Sequence, residues 1–215
     1  MKACNIRDVA AIMKYFAYLE KELKNPDHKL DEYTGQKYLG ELRTKGDLHQ
    51  GPSFDTISSI GANGAVIHYK PEADTAVRLN NNEIYLCDSG GQYLDGTTDI
   101  TRTTHFGGDK PPTDFQKEAY TRVLRGVLDL ERIVWPAKSR IAGGDMDILA
   151  RKNLWAAGLN YGHGTGHGVG TFLNVHEGPV GVSRGYTVEW VVGHCTSNEP
   201  GYYESGEFGI RIENV

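Results

Sequence analysis

Apolar residues recur at helical spacing from the start of the chain, at Ile6, Val9, Ala10, Met13, Phe16 and Ala17. That period predicts an amphipathic helix over residues 5–24, ended by Asn25-Pro26. A polar segment around 31–45 carries a weaker signal for a second helix. From Ser53 the pattern shortens. "TISSIGANGAVIHY" reads as two short strands about a Gly-Ala-Asn-Gly turn. "EIYLCDSGG" is an apolar run meeting a turn, the mark of a buried strand, and "TTDITRTTHF" alternates like another. Pro111-Pro112 breaks the chain. Phe115, Ala119, Val123 and Val127 then form one stripe of a helix predicted over 114–133. A further helix is predicted over 145–158, stopped by Gly158. Helices and antiparallel-looking strands in mixed order predict an α+β fold. With no internal linker or repeat, residues 1–215 read as one domain.

Bulk properties narrow the classes of function. The 215 residues carry a net charge of −5 and no basic stripe, which argues against nucleic acid. No apolar run reaches the length of a spanning helix, so no membrane role is expected. Cys4, Cys87 and Cys195 are odd in number and widely separated, and no secretory apolar segment opens the chain. Both features predict a reducing, cytoplasmic compartment. The 27 glycines exceed the usual share of ~7% without any period. They mark tight turns or close backbone approaches.

The densest group is "YGHGTGHGVGTFLNVHEGP", residues 161–179, which holds His163, His167 and His176. Five glycines between Gly162 and Gly170 rule against a helix, since each costs ~1 kcal/mol relative to alanine. The stretch is expected to be extended, with something close against its backbone. Asp88 and Asp99 lie eleven positions apart, ~36 Å along a strand and ~16 Å along a helix. Only a chain reversal brings them together, and Ser89-Gly90-Gly91 and Asp95-Gly96 are both turn signals. Near the C-terminus, a hairpin centred on Gly206 would set Glu199 opposite Glu213, with Arg211 and Glu213 on one strand face. Two carboxylates directly opposite repel unless a cation lies between them. Asp88, Asp99, Glu199 and Glu213 total −4, which two divalent cations balance. His167 would complete an oxygen-rich donor set, suited to Mn²⁺ rather than to a structural tetrahedral zinc site.

Three stretches, "DSGGQYLDGTTDITRT", "GHGTGHGVGTFLNVHEGP" and "NEPGYYESGEFGIRIENV", closely resemble the eukaryotic-type Xaa-Pro aminopeptidases, or aminopeptidase P. "SSIGANGAVIHY" also matches a strand of that family. The resemblance implies a pita-bread fold, a curved antiparallel sheet flanked by helices. It implies Asp88, Asp99, His167, Glu199 and Glu213 as ligands of two divalent ions, with Asp99 and Glu213 bridging. Mn²⁺ leads, with Zn²⁺ and Co²⁺ as the other candidates. His68, His163 and His176 are implied to surround the substrate, and Arg211 to stand beside the metal carboxylates and to serve substrate binding. Glu199 is then the general base, and His176 helps stabilise the oxyanion. The implied reaction is hydrolysis of the N-terminal Xaa-Pro bond in peptides with proline at position two, and a homodimer is compatible with it. The alternative is a non-catalytic domain that binds peptide or a protein partner. Against the family pattern, His194 stands where Met is common and Asn198 where an acid is common. Set against the family pattern, residues 1–215 are expected to be the catalytic domain without the N-terminal domains and C-terminal tail. Only Asn214 and Val215 follow Glu213, so the last strand is expected to fray unless metal holds it. The glycines around His163 and His167 are expected to let substrate pass close to the backbone.

Overall fold

The computed structural model describes residues 1–135 and 140–215. Helix α1 (Lys2–Glu22) forms where the apolar period predicts it, but its inner face is offset from the predicted stripe. Cys4, Asp8, Ala11, Ile12, Tyr15 and Leu19 are buried, whereas Ile6 and Met13 are 73% and 67% exposed. The reason is a buried polar clasp that outweighs the apolar pattern. Arg43 on helix α2 (Glu32–Arg43) donates to both carboxylate oxygens of Asp8 at 2.8 and 3.0 Å, and the Tyr93 hydroxyl donates to the same group at 2.7 Å. Helix α2 opens on a capping box in which Asp31 and Thr34 exchange hydrogen bonds at 2.7 and 2.9 Å.

The strands are short and antiparallel. β1 (His49–Pro52) and β2 (Ile57–Ile60) precede a 3-10 turn at Gly61–Ala65. The second strand expected in "GAVIHY" does not form. Instead the 3-10 turn lies against a later strand so closely that a Cβ on Gly209 would sit 1.7 Å from the Gly64 carbonyl oxygen. β3 (Tyr85–Ser89), β4 (Gly91–Tyr93), β5 (Gly96–Thr97) and β6 (Ile100–Thr104) follow. β2, β3 and β6 make one sheet; β1, β4 and β5 make a second. Helices α3 (Asp114–Glu131) and α4 (Gly143–Trp155) pack together at Gly126, where a Cβ would meet the Ala150 carbonyl oxygen at 2.3 Å. The last strands are β7 (Gly166–His167), β8 (Gly181–Val182), β9 (Gly201–Glu204) and β10 (Phe208–Arg211).

Two apolar cores flank this α+β arrangement. Tyr15, Leu19 and Leu39 of the first helix pair meet Ile60, Tyr85 and Cys87. Ala119, Val123, Val127 and Leu154 of the second pair meet Tyr202, Phe208, Ile210 and Ile212. The alternation along β10 therefore sends Phe208, Ile210 and Ile212 into one core. Arg211 and Glu213 are left on the opposite face, between the two helix pairs. The last residues are tied into the fold by hydrogen bonds. Glu213 N–H donates to the Thr101 carbonyl at 3.2 Å, and Arg102 donates to the Glu213 carbonyl at 2.7 Å and to Asn214 Oδ1 at 2.8 Å. Asn214 and Asn198 also exchange backbone hydrogen bonds at 2.9 and 3.3 Å.

Candidate metal centre

Both turn signals between Asp88 and Asp99 are used. The chain leaves β3 at Gly90, runs out through β4, reverses at Leu94-Asp95, and returns through β5. β3 and β6 pair so that Asp88 faces Thr101 across the ladder, which brings Asp99 back beside Asp88. The excursion removes the ~36 Å that an extended chain would impose.

The β9–β10 hairpin turns about Gly206 and pairs Arg211 with Gly201. Its register continues past the strands. Ile212 bonds to Pro200, and Asn198 pairs with Asn214. Glu199 and Glu213 thus form the non-hydrogen-bonded pair between them, the type in which side chains stand closest.

His167 lies on β7, threaded between two neighbours. Ser197 N–H donates to its carbonyl at 2.8 Å on one side, and Gly181 is its partner on the other. This placement accounts for Gly166 and Gly168. A Cβ on Gly166 would meet the Ser197 carbonyl oxygen at 2.0 Å, and one on Gly168 the Glu177 carbonyl oxygen at 1.9 Å. The crowding comes from the protein's own backbone.

These elements bring all five residues to one place. Three clusters, Asp99 with His167 and His176, His167 with Glu199 and Glu213, and Asp88 with Asp99 and Glu213, each offer ligand atoms within 4.8 Å of one another. They stand in a cavity of about 650 Å³ that is also lined by His68, His163 and Arg211. His176, expected only at the substrate, is geometrically within the donor set as well. Its ring stands edge-on to that of His167, centroids 4.1 Å apart.

Burial makes this concentration of charge costly. It pushes Asp88 up, Asp99 up to about 7, and Glu213 well above the usual carboxylate range. Burial alone would lower His167. Hydrogen bonds to Asp99 and Glu199 instead lift it to about 10, and the His167 contact holds Glu199 low against the effect of burial. The donors fit a cation. His167 Nδ1 donates to the Gly168 carbonyl at 3.0 Å, so Nε2 is the free nitrogen of the neutral ring. Nε2 faces Asp99 Oδ2 at 3.3 Å and Glu199 Oε1 at 3.2 Å. A lone pair aimed at two carboxylate oxygens needs a proton or a metal ion between them. The backbone carbonyl behind the ring is the outer-shell partner expected of a ligating histidine. Asp88 Oδ1 is buried with no hydrogen-bond partner among the described residues, which a cation would also satisfy.

The surrounding groups are held tightly. Arg211 donates to Asp88 Oδ2 at 2.7 Å and to the Tyr203 hydroxyl at 2.7 Å. Tyr203 in turn stands 2.8 Å from His163 Nε2, while His163 Nδ1 donates to the Gly164 carbonyl at 2.7 Å. Burial pushes the His163 ring down in pKa, and with Nδ1 donating to the Gly164 carbonyl, Nε2 of the neutral ring accepts a hydrogen bond from the Tyr203 hydroxyl. Thr101 donates to Glu213 Oε2 at 2.6 Å, and Ser197 donates to Glu199 Oε1 at 2.9 Å. Tyr203, Thr101 and Ser197 escaped the sequence reading. Nothing in their spacing marks them, because each reaches the centre only through strand pairing.

An oxygen-rich donor set of this composition suits divalent cations of the Mn²⁺ type. The chain belongs to metallopeptidase family M24, whose profile matches residues 1–215. It is 56% identical over 218 residues to a probable Xaa-Pro aminopeptidase P of Aspergillus flavus and 55% identical to that of Penicillium rubens. Each match takes in all of this chain but only 33% and 35% of the fungal proteins, so the chain spans about a third of their length. Among solved structures, the X-prolyl aminopeptidase of Caenorhabditis elegans, described as a cytosolic enzyme with a di-nuclear active site, superposes with a TM-score of 0.92 at 40% identity. It covers 100% of this chain and 34% of that one. The prolidase of Pyrococcus horikoshii superposes at 0.80 with 28% identity, over 99% and 56% of the two chains. The pita-bread fold is shared with these neighbours.

Proposed function

We propose that the chain is the catalytic part of a two-metal aminopeptidase that hydrolyses the bond between an N-terminal residue and proline. The observation that carries this reading is the convergence of Asp88, Asp99, His167, Glu199 and Glu213 in one cavity, their ligand atoms grouped within 4.8 Å. The names of the fungal and nematode relatives supply the substrate class. Residues 1–215 are taken as one catalytic domain, which the family match over the same span supports. The five residues would hold two divalent cations, with Mn²⁺ favoured over Zn²⁺ and Co²⁺ by the oxygen-rich set. Asp99, His167 and Glu213 each belong to two of the three clusters, and of these the two carboxylates, with two oxygens each, would be the residues able to bridge a pair of ions. A cytosolic setting belongs to the same proposal, in keeping with three free cysteines.

When bound, such ions acidify a water and polarise the scissile carbonyl. The chain's residues do the rest. Glu199, steadied by the Ser197 hydroxyl, accepts the water's proton. Asp88, held by Arg211, presents a carboxylate toward which the substrate's free α-amine can be drawn. That restricts cleavage to the first bond. His68 and His176 line the cavity and are free to contact the carbonyl and prolyl side. His163 is engaged on both nitrogens, so it acts by orienting Tyr203 and the cavity wall until substrate displaces one bond.

Calorimetric titration of Mn²⁺ into chelated protein, followed by assay of matched Xaa-Pro and Xaa-Ala peptides, tests the proposal. Two ions bound and selective cleavage of the proline peptide are expected. Equal rates on the two peptides, or release of an intact Xaa-Pro dipeptide, would assign the chain to another peptidase class.

A further inference from the structure

His68 stands on the wall of the cavity, yet no hydrogen bond holds its ring among the described residues, and the segment that carries it has no strand partner. The start of the segment is held by Gly61 N–H, which donates to the Ile84 carbonyl at 2.9 Å, and by the Gly64–Gly209 contact. From Ala65 to Ala76 the backbone among the described residues makes only local turns, such as Tyr69 N–H to the Val66 carbonyl at 3.0 Å, so the stretch that carries His68 needs a further anchor.

The fully buried carboxylate of Glu32, on the first turn of α2, meets the segment at four points. Oε1 accepts from Ile60 N–H at 2.8 Å, at the start of the segment, and Oε2 accepts from Val77 N–H at 2.9 Å, at its end. Asn63 Nδ2 donates to both oxygens at 3.0 and 3.1 Å. The Tyr69 hydroxyl, on the residue next to His68, donates to Oε2 at 2.7 Å. The backbone joins in, since Glu32 N–H donates to the Val77 carbonyl at 3.0 Å. One turn further along α2, Gln36 donates to the Pro71 carbonyl at 3.2 Å. Beyond Gly64, the other tie among the described residues is the Lys70–Asp55 ion pair, and it is solvent-exposed, so it contributes little. Hydrogen bonds to a buried charge are among the strongest a protein makes, and a full set of them leaves the group one position to occupy.

We infer that Glu32 is a positioning residue for the reaction, clamping the Ile60–Val77 segment so that Tyr69 and the adjoining backbone fix His68 at the cavity wall. The inference builds on the proposed activity for its kinetic arm only.

Two variants of the 215-residue chain test it. Glu32→Gln keeps the shape, but whichever way the amide lies, its NH₂ group faces either Ile60 N–H or Val77 N–H. Tyr69→Phe keeps both of those bonds and deletes the link beside His68, together with the bond that the hydroxyl accepts from Asn63 Nδ2 at 3.0 Å. Circular dichroism and Mn²⁺ stoichiometry establish that each variant is folded and loaded. The kcat/KM for a Xaa-Pro peptide is expected to fall on the order of ten- to a hundredfold in each, as for a displaced substrate contact. On a His68→Ala background neither variant should lower it further, because the loss runs through His68. A multiplicative loss on that background would overturn the inference, as would unchanged kinetics in both variants. The ring resonance of His68, assigned by its disappearance in His68→Ala, should shift in both variants without any substrate present. Should the parent chain cleave no Xaa-Pro peptide, the proposed function fails, and the resonance alone decides the clamp: an unmoved signal refutes it.

Discussion

Removing the metal from a centre built like this one should cost the fold measurably. Asp88, Asp99 and Glu213 are 8%, 4% and 1% exposed, so their carboxylates cannot recover in water the stabilisation that a cation provides. With the ions gone, Arg211 compensates Asp88 alone, and His167 stands between Asp99 and Glu199. Glu213 keeps only the Thr101 hydroxyl. Folded and unfolded chains differ sharply in affinity, because the ligands come from positions 88 to 213 and converge only on folding. At a hundredfold excess over Kd each site contributes about 2.7 kcal/mol, hence about 5 kcal/mol for two. For a domain of this size about 1 kcal/mol moves the melting midpoint by roughly 2–4 °C, so a shift of roughly 10–20 °C is expected. Differential scanning calorimetry in chelator and in excess Mn²⁺ measures it. Asp99→Ala, which removes a donor shared by two clusters, should abolish most of the shift. A midpoint that moves by less than about 2 °C in the parent chain, or equally in parent and Asp99→Ala, would refute the reasoning.

Three further outcomes are expected. Asp8→Ala strands the buried Arg43 guanidinium and should cost about 3–5 kcal/mol in urea unfolding; a loss below about 1 kcal/mol would show that the clasp with α2 is replaceable. Burial pushes Cys4 and Cys87 up to about 11, so a thiol reagent at pH 8 should modify half-buried Cys195 in the folded chain well before either of them; simultaneous labelling of all three would contradict their placement. His176→Ala should lower turnover about a hundredfold with both ions retained. Loss of one ion from the titration would instead make His176 a ligand, as its place in one donor cluster allows.

The helices were legible in the chain because their signals are local. Asn25-Pro26 and the Asp31–Thr34 box bracket the first pair, and Gly158 ends the last one. The inward side of α1 was not legible, since Asp8 is buried only because Arg43 and Tyr93 arrive from α2 and β4 to meet it. The Gly206 hairpin was legible down to its register. Alternation set Arg211 and Glu213 on one face, and the turn then fixed Glu199 opposite Glu213.

The sequence alone singled out the candidates for a metal centre: four carboxylates whose summed charge two divalent cations would balance, and a histidine in a backbone too glycine-rich for a helix. It could not choose between the two turns separating Asp88 from Asp99, nor show that the fold uses both. Nor could it say why Gly166 and Gly168 are there, because what they accommodate is the backbone of Ser197 and Glu177, which meets them only once the chain has folded back on itself. The same holds for "GAVIHY". Its residues favour a strand, but the Gly64–Gly209 contact and the Glu32 carboxylate hold it in another shape. Local propensity is worth about 1 kcal/mol at most per residue. Close backbone packing and a buried, fully bonded charge exceed it, and both exist only once distant segments have met.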